Sequence, residues 1–343
     1  MENRPNRLKA WIAERERRAE EKNLDKVPRP FWVITKKEIA DHIHSWRFII
    51  LLAIIFLTCM SSLISAMTAI RGAGSALGGE SFFFLRLFTL SDGTLPSYLT
   101  FVGFLGPLLG IAMGFDAINS ERNKGTLSRI MSQPIHRDML LNAKFVAALV
   151  VISAMFFTLS LLVLGFGIFT LGIPPMPEEI WRLVAFNVLI VFYVGFWLNL
   201  SMIFSVRFRQ PATSALSGIA VWLFFTVFFS MLMNLVANAL KPSAAATTEQ
   251  VLSYLNFMQF LYRLSPSQLF TDATVTLLVP ETNTLNSFLS LDQLAYSIPG
   301  TPLSFGQSLL VVWPQVTGLF AATLICFAIS YVMFMRQEIR SRS

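Results

Sequence analysis

The sequence predicts an all-α polytopic membrane protein. Of its 343 residues 54% are apolar and only 14% charged, where a soluble domain carries about a quarter charged, and its mean hydropathy is positive. The apolar residues gather in runs of about twenty, the length that crosses ~30 Å of hydrocarbon at ~1.5 Å per residue. The cations between those runs are distributed very unevenly. Six transmembrane helices are predicted, at 48–70, 97–118, 145–171, 183–206, 212–240 and 309–335.

An even number of spans puts both ends on one side. The tail 1–47, the loop 119–144, the turn 207–211 and the end 336–343 hold 22 Lys and Arg. The opposite side holds five: Arg71, Arg86, Arg182, Lys241 and Arg263. The positive-inside rule then places both termini in the cytoplasm of a multi-pass protein of the plasma (inner) membrane. The sequence pI near 9.6 reads as orientation and attraction to lipid headgroups rather than nucleic-acid binding. With 47 mostly polar residues before the first apolar run, no cleaved signal peptide is expected. Cys59 and Cys326 both fall inside predicted spans and read as packing groups.

Residues 1–27 form a charged cytoplasmic extension, closed by Pro28 and Pro30. Residues 28–47 read as an amphipathic entry helix with Trp32, Ile39, Ile43 and Trp46 as its apolar stripe at the headgroup boundary. Residues 48–343 make the six-helix domain. In its second span Gly106, Gly110 and Gly114 recur every four residues, a stripe that lets a neighbouring helix approach closely, whether within the chain or in a second subunit. Pro107 should kink that span and free a carbonyl that a neighbour or water must satisfy. An aromatic-rich segment, Phe82, Phe83, Phe84 and Phe88, reads as lipid-facing or as part of an exit. The outer loop 241–308 should contain two short helices resting on or dipping into the outer leaflet. One is Val251 to Leu264; the other follows Ser265-Pro266-Ser267-Gln268, a capping-box pattern, with Leu269, Phe270, Ala273 and Leu277 on one face.

The interiors of the six predicted spans contain no Asp, Glu, Lys, Arg or His, so proton coupling and membrane-depth hydrolysis have no groups to use. No Cys/His metal spacing, GxGxxG or GxxxxGK[ST] phosphate loop is present. No catalytic or metal-binding residue is predicted, and any energy must come from a partner. The loop 119–144 offers a place for one. Gly125 permits a sharp turn, Thr126 to Ser132 make about two helical turns that Pro134 stops, and Asp138 suits the start of span three. Leu127, Ile130 and Met131 supply an apolar face ringed by Arg122, Lys124 and Arg129. On physical grounds alone, the loop reads equally as a lever that transmits a partner's movement or as a polar connector whose charges set orientation.

Glu121, Gly125-Thr126-Leu127, Ser132-Gln133-Pro134-Ile135, Arg137 and Lys144 resemble the E…GTL…SxPI-x-R…K pattern of type-2 ABC transporter permeases, the ABC-2 family. The likeness is greatest to the group that includes the permease of nitrous-oxide-reductase maturation. The motif covers about 30 residues, and the six-span plan, entry helix and outer helices carry the likeness across most of the chain. His136 departs from the Ser or Thr usual before the Arg. The resemblance implies a transporter subunit, an exporter, without catalytic residues of its own. The 119–144 loop would be the coupling helix seated in an ATP-binding subunit, with Glu121, Gly125, Thr126, Leu127, Pro134 and Arg137 carrying the contact. Residues 28–47 would be the connecting helix. ATP and Mg would be bound by the partner, and a second permease copy or paralogue would complete a dimer. The alternative is a membrane scaffold that recruits an assembly or maturation factor without transporting anything.

Overall fold

The computed structural model describes residue 14 and residues 30–73, 82–132, 136–172, 174–242, 247–280 and 303–336. Pro28, Pro134 and all of the 1–27 extension except Glu14 lie outside these residues. Every regular element among them is helical.

The entry helix α1 is Pro30–Ile43. After a break at His44 and Ser45 the first span, α2, runs Trp46–Ala73, so Trp46 opens the span rather than belonging to the entry helix. A short helix α3, Phe83–Thr89, leads to the second span, α4, Tyr98–Gly114. Two short helices, α5 (Asn119–Asn123) and α6 (Thr126–Met131), cross to the third span, α7, Arg137–Leu171. The fourth span, α8, is Pro177–Arg207. The fifth is α9, Pro211–Leu223, continued through a π-helical turn at Phe224–Phe228 into α10, Phe229–Leu240. The outer helices α11 (Thr248–Tyr262) and α12 (Pro266–Leu278) precede the last span, α13, Phe305–Met335.

Among the described residues six helices are long and apolar enough to cross a membrane. Spans three and four begin at Arg137 and Pro177, eight and six residues before hydropathy places them. The added turns are polar yet helical because their charges are paired inside the protein. Arg182 is fully buried. It donates to Glu178 (2.9 Å), the carbonyls of Leu277 (2.9 Å) and Leu303 (2.6 Å), and Ser308 Oγ (3.1 Å), with its guanidinium over the Phe82 ring. Glu179, also buried, accepts from the backbone N–H of Phe84 and of Met176, both at 2.8 Å. These two residues fasten α3, α12 and the start of α13 onto α8.

That packing corrects two expectations. Phe84 and Phe88 are buried in the core and Phe82 nearly so, so α3 is an internal prop rather than a lipid-facing or exit segment. Helix α12 buries Leu269, Phe270, Ala273 and Leu277 against spans four and six instead of resting on a leaflet. The Ser265–Gln268 capping box does not form; Gln268 donates to Asp272 at 2.7 Å instead.

Spans two and four form the central pair. A Cβ on Gly110 would stand 2.6 Å from the Val194 carbonyl oxygen, and one on Gly114 2.7 Å from that of Leu198; Gly106 faces the Val194 side chain. The glycine stripe therefore meets α8 of the same chain. Because Pro107 cannot donate to the Gly103 carbonyl four residues back, that oxygen needs another donor. Tyr193 Oη donates to it at 3.0 Å and hydrogen-bonds Ser267 Oγ at 3.1 Å, its ring stacked 4.2 Å from Phe270.

Candidate functional site

The predicted loop sits at the basic end of the bundle, where α5 and α6 fold back between spans two and three. Gly125 turns the chain between them at φ +69°, a left-handed value that costs other residues ~1–2 kcal/mol. Thr126 Oγ1 closes the turn by donating to the Glu121 carbonyl at 3.1 Å and to the Glu121 carboxylate. Leu127 is buried in the bundle core. It anchors α6 to its own spans and presents no surface to a partner. Arg137 is exposed as the first residue of α7. The side chains of Ile130 and Met131 fall outside the described residues, as does Pro134.

The centre of the site is a buried ion-pair cluster. Lys144 Nζ, 6% exposed, lies 2.8 Å from Glu38 Oε2 and 3.4 Å from Glu121 Oε1, whose side chains are 8% and 15% exposed. Lys37, more than half exposed, reaches Glu38 at 3.3 Å and Asp41 at 3.2 Å. Burial opposes the charge on Lys37, but Glu38 and Asp41 outweigh it and raise its pKa. Three separate elements thus meet at one ammonium: the entry helix through Glu38, span three through Lys144, and the loop through Glu121. Charges this dry persist only when paired.

Two further ties fix the loop. Ser205 Oγ, buried in α8, accepts from the N–H groups of Ile118 (3.0 Å) and Asn119 (3.2 Å), capping the start of α5. Asn123 Nδ2 donates to the Arg209 carbonyl at 3.0 Å, joining the loop to the turn between spans four and five. At the exit of span two, Asp116 pairs with Arg47 at 2.6 Å, and the Arg47 guanidinium lies over Phe115.

The entry helix packs on span three through a face the hydropathy reading missed. Phe31, Ile34, Thr35, Glu38, Ile39 and His42 follow a 3–4 spacing and are buried or half-buried. Of the predicted stripe only Ile39 shares that face. Trp32 and Ile43 are about half exposed and Trp46 is 77% exposed. Hydropathy does not reveal this second face because the seam is organised around a carboxylate whose partner, Lys144, is 106 positions away. Ser205 and Glu38 carried no signal in the sequence. Lys144 carried one, as the closing Lys of the ABC-2-like pattern, but nothing in the sequence pointed to its partner Glu38.

Among the described residues no group of His, Cys, Asp or Glu is placed to hold a metal ion. The short helical hairpin is thus tied to span three through Lys144, to span four through Ser205 and to the turn after it through Arg209, with Lys144 also held by the entry helix.

A family model described as "ABC-2 family transporter protein" matches residues 32–339. The chain belongs to that family. Similar proteins include the "Probable ABC transporter permease protein NosY" of Stutzerimonas stutzeri, 24% identical over 208 residues, covering 59% of this chain and 68% of that one. The protein of the same name in Pseudomonas aeruginosa is 27% identical over 207 residues, covering 58% and 68%. As an ABC-2 permease the chain is a multi-pass membrane subunit of an ABC transporter, not itself the catalytic one, and its family implies an ATP-binding subunit as partner.

Proposed function

We propose that this ABC-2 permease is the membrane-spanning half of an ATP-driven exporter, coupled through its 119–144 loop to a separate ATP-binding subunit that binds the ATP and Mg. It works as a dimer with a second permease copy or paralogue, in the plasma (inner) membrane, with both termini cytoplasmic. The entry helix acts as a connecting helix whose exposed Trp32, Ile43 and Trp46 sit among lipid headgroups. The observation that carries this reading is the Glu38–Lys144–Glu121 cluster. A passive loop has no need to share one buried ammonium with the entry helix and span three, whereas a lever needs a rigid mount. Movement of the ATP-binding subunit would tilt α5 and α6, and the cluster with Ser205 would carry that tilt into the spans.

The test is affinity purification of the native full chain from its own membranes. The readouts are ATP hydrolysis in the purified material and transport into inverted vesicles. An ATP-binding subunit is expected to be retained, with hydrolysis and transport both present. Glu121→Gln with Thr126→Val should keep the folded permease but uncouple hydrolysis from transport. A folded native chain that retains no ATP-hydrolysing partner defeats the proposal and favours a recruiting scaffold.

A further inference from the structure

Span five is two helices joined by a π-helical turn. Its inner half, α9, docks on spans four and two and buries Ser214, Gly218 and Trp222 along one stripe, with the Trp222 ring edge-on to Phe104 at 4.9 Å. Its outer half, α10, has no buried residue. Between them, at Phe224–Phe228, the hydrogen-bond ladder slips to a wider spacing, and the N–H of Phe229 donates to the Phe224 carbonyl five residues back. Such a turn holds one residue more than an α-helix needs, so everything beyond it is offset by one position.

Thr226 shows what the turn has displaced. In the regular helices of this chain Thr35, Thr58, Thr158, Thr274 and Thr323 each donate to the carbonyl four residues back, at 2.7–2.9 Å. The Thr226 hydroxyl is buried and has no partner, a costly condition at membrane depth. In an unbroken α-helix it would reach the Trp222 carbonyl. Two bonds from α11 hold the outer half as it is: Tyr254 donates to the Ala237 carbonyl at 3.0 Å and Tyr262 to Asn234 Oδ1 at 3.3 Å. Helix α11 cannot follow a turning α10, because residues 263–265 join it directly to α12, which Arg182 holds through the Leu277 carbonyl.

We propose that this turn is a register switch in span five, set in its π form by the two tyrosines of α11 and relaxing to a continuous α-helix when those bonds release. In the α form α10 turns ~100° about its axis and advances ~1.5 Å. Leu232 and Val236 then come to the positions now held by Met233 and Ala237, and the Thr226 hydroxyl gains the Trp222 carbonyl. The inner half stays docked. The outer end of the bundle thus changes its surface without a rearrangement of the core, and α11 is the clamp that controls it. The switch is a property of this chain alone and does not depend on the coupling reading above.

The experiment is double electron–electron resonance on the full chain in nanodiscs. A chain carrying Cys59→Ala and Cys326→Ala is spin-labelled at Leu95→Cys, outside span two, and at Leu235→Cys or Leu240→Cys on two faces of α10; all three positions are exposed. Dilution with unlabelled chain restricts the signal to pairs within one chain. A label ~5 Å from the helix axis moves ~8 Å in a ~100° turn. The chain with its tyrosines intact should show one dominant distance, and Tyr254→Phe/Tyr262→Phe should add a second, displaced by several ångströms for at least one reporter. Adding Thr226→Val should shrink that second population about fivefold. Deleting Val227, exposed within the turn, removes the extra residue and should abolish the second population while keeping the first. Absence of a second population in the tyrosine variant overturns the switch. A second population that survives the Val227 deletion, or ignores Thr226→Val, is a loosened helix end and overturns it too. A monodisperse elution profile confirms folding, and if the deletion does not fold the Thr226→Val comparison decides alone.

Discussion

Replacing Lys144 by Met removes the ammonium and keeps most of the side chain's bulk, leaving Glu38 and Glu121 facing each other with 8% and 15% exposure. Breaking one partner out of a buried ion pair costs ~3–5 kcal/mol. Lys37 remains 3.3 Å from Glu38 and offsets part of this, which puts the cost at the lower end, about 3 kcal/mol. At ~1.4 kcal/mol per tenfold, the docked entry helix should open about 100-fold more often. Hydrogen exchange read by mass spectrometry on peptides covering Thr35 to Ile43 measures that opening directly. Protection there should fall about 100-fold in Lys144→Met, with peptides of span four unchanged. The double variant Glu38→Gln/Lys144→Met removes the entry helix's own carboxylate and its repulsion with Glu121, and should regain most of the protection. Unchanged exchange in the single variant, or a double variant as loose as the single, would show that the cluster does not hold the entry helix.

Gly110→Ala should lower the melting temperature by several degrees, because its Cβ meets a backbone oxygen at 2.6 Å and overpacking of this kind costs ~1–3 kcal/mol. Gly165→Ala, in a helix interior with nothing within 4 Å, is the control and should be neutral or slightly stabilising. Tyr193→Phe keeps the stack on Phe270 but leaves the Gly103 carbonyl without its donor, and thermal unfolding should report a loss of ~1–3 kcal/mol. Burial holds His42 below its ordinary imidazole pKa; Lys144 adds to this, while Glu38, Asp116 and Asp41 oppose it. The folded state therefore favours neutral His42. Its contribution to stability is full above about pH 6.5 and is lost as pH falls through the lower folded value. Unfolding followed from pH 8 to 5 should show that decline, and His42→Gln should remove it.

Much of the architecture was legible because a bilayer makes simple demands. A run of about twenty apolar residues has few other uses, the glycine stripe announced a tightly packed span two, and Pro107 announced a carbonyl, that of Gly103, in need of another donor. The two outer helices were legible from their composition, but α12's place inside the bundle was not, since it depends on Arg182 reaching the Leu277 carbonyl. The site divides the same way. Gly125 and Glu121 stand in a local pattern of turn and charge. Glu38, Lys144 and Ser205 act through partners distant in sequence, and a hydropathy scan treats a buried Glu38 as an exposed one.

The central claim is that the loop between spans two and three receives the ATP-binding subunit, and site-specific cross-linking tests it most directly. In a chain carrying Cys59→Ala and Cys326→Ala, a cysteine is placed at the exposed loop position by Lys124→Cys, or at the opposite end by Lys241→Cys, and treated with a short bifunctional thiol–amine reagent in native membranes. The account predicts capture of the ATP-binding subunit from position 124, changing in yield when nucleotide is added, and none from position 241. Capture from position 241 with none from 124 would contradict it.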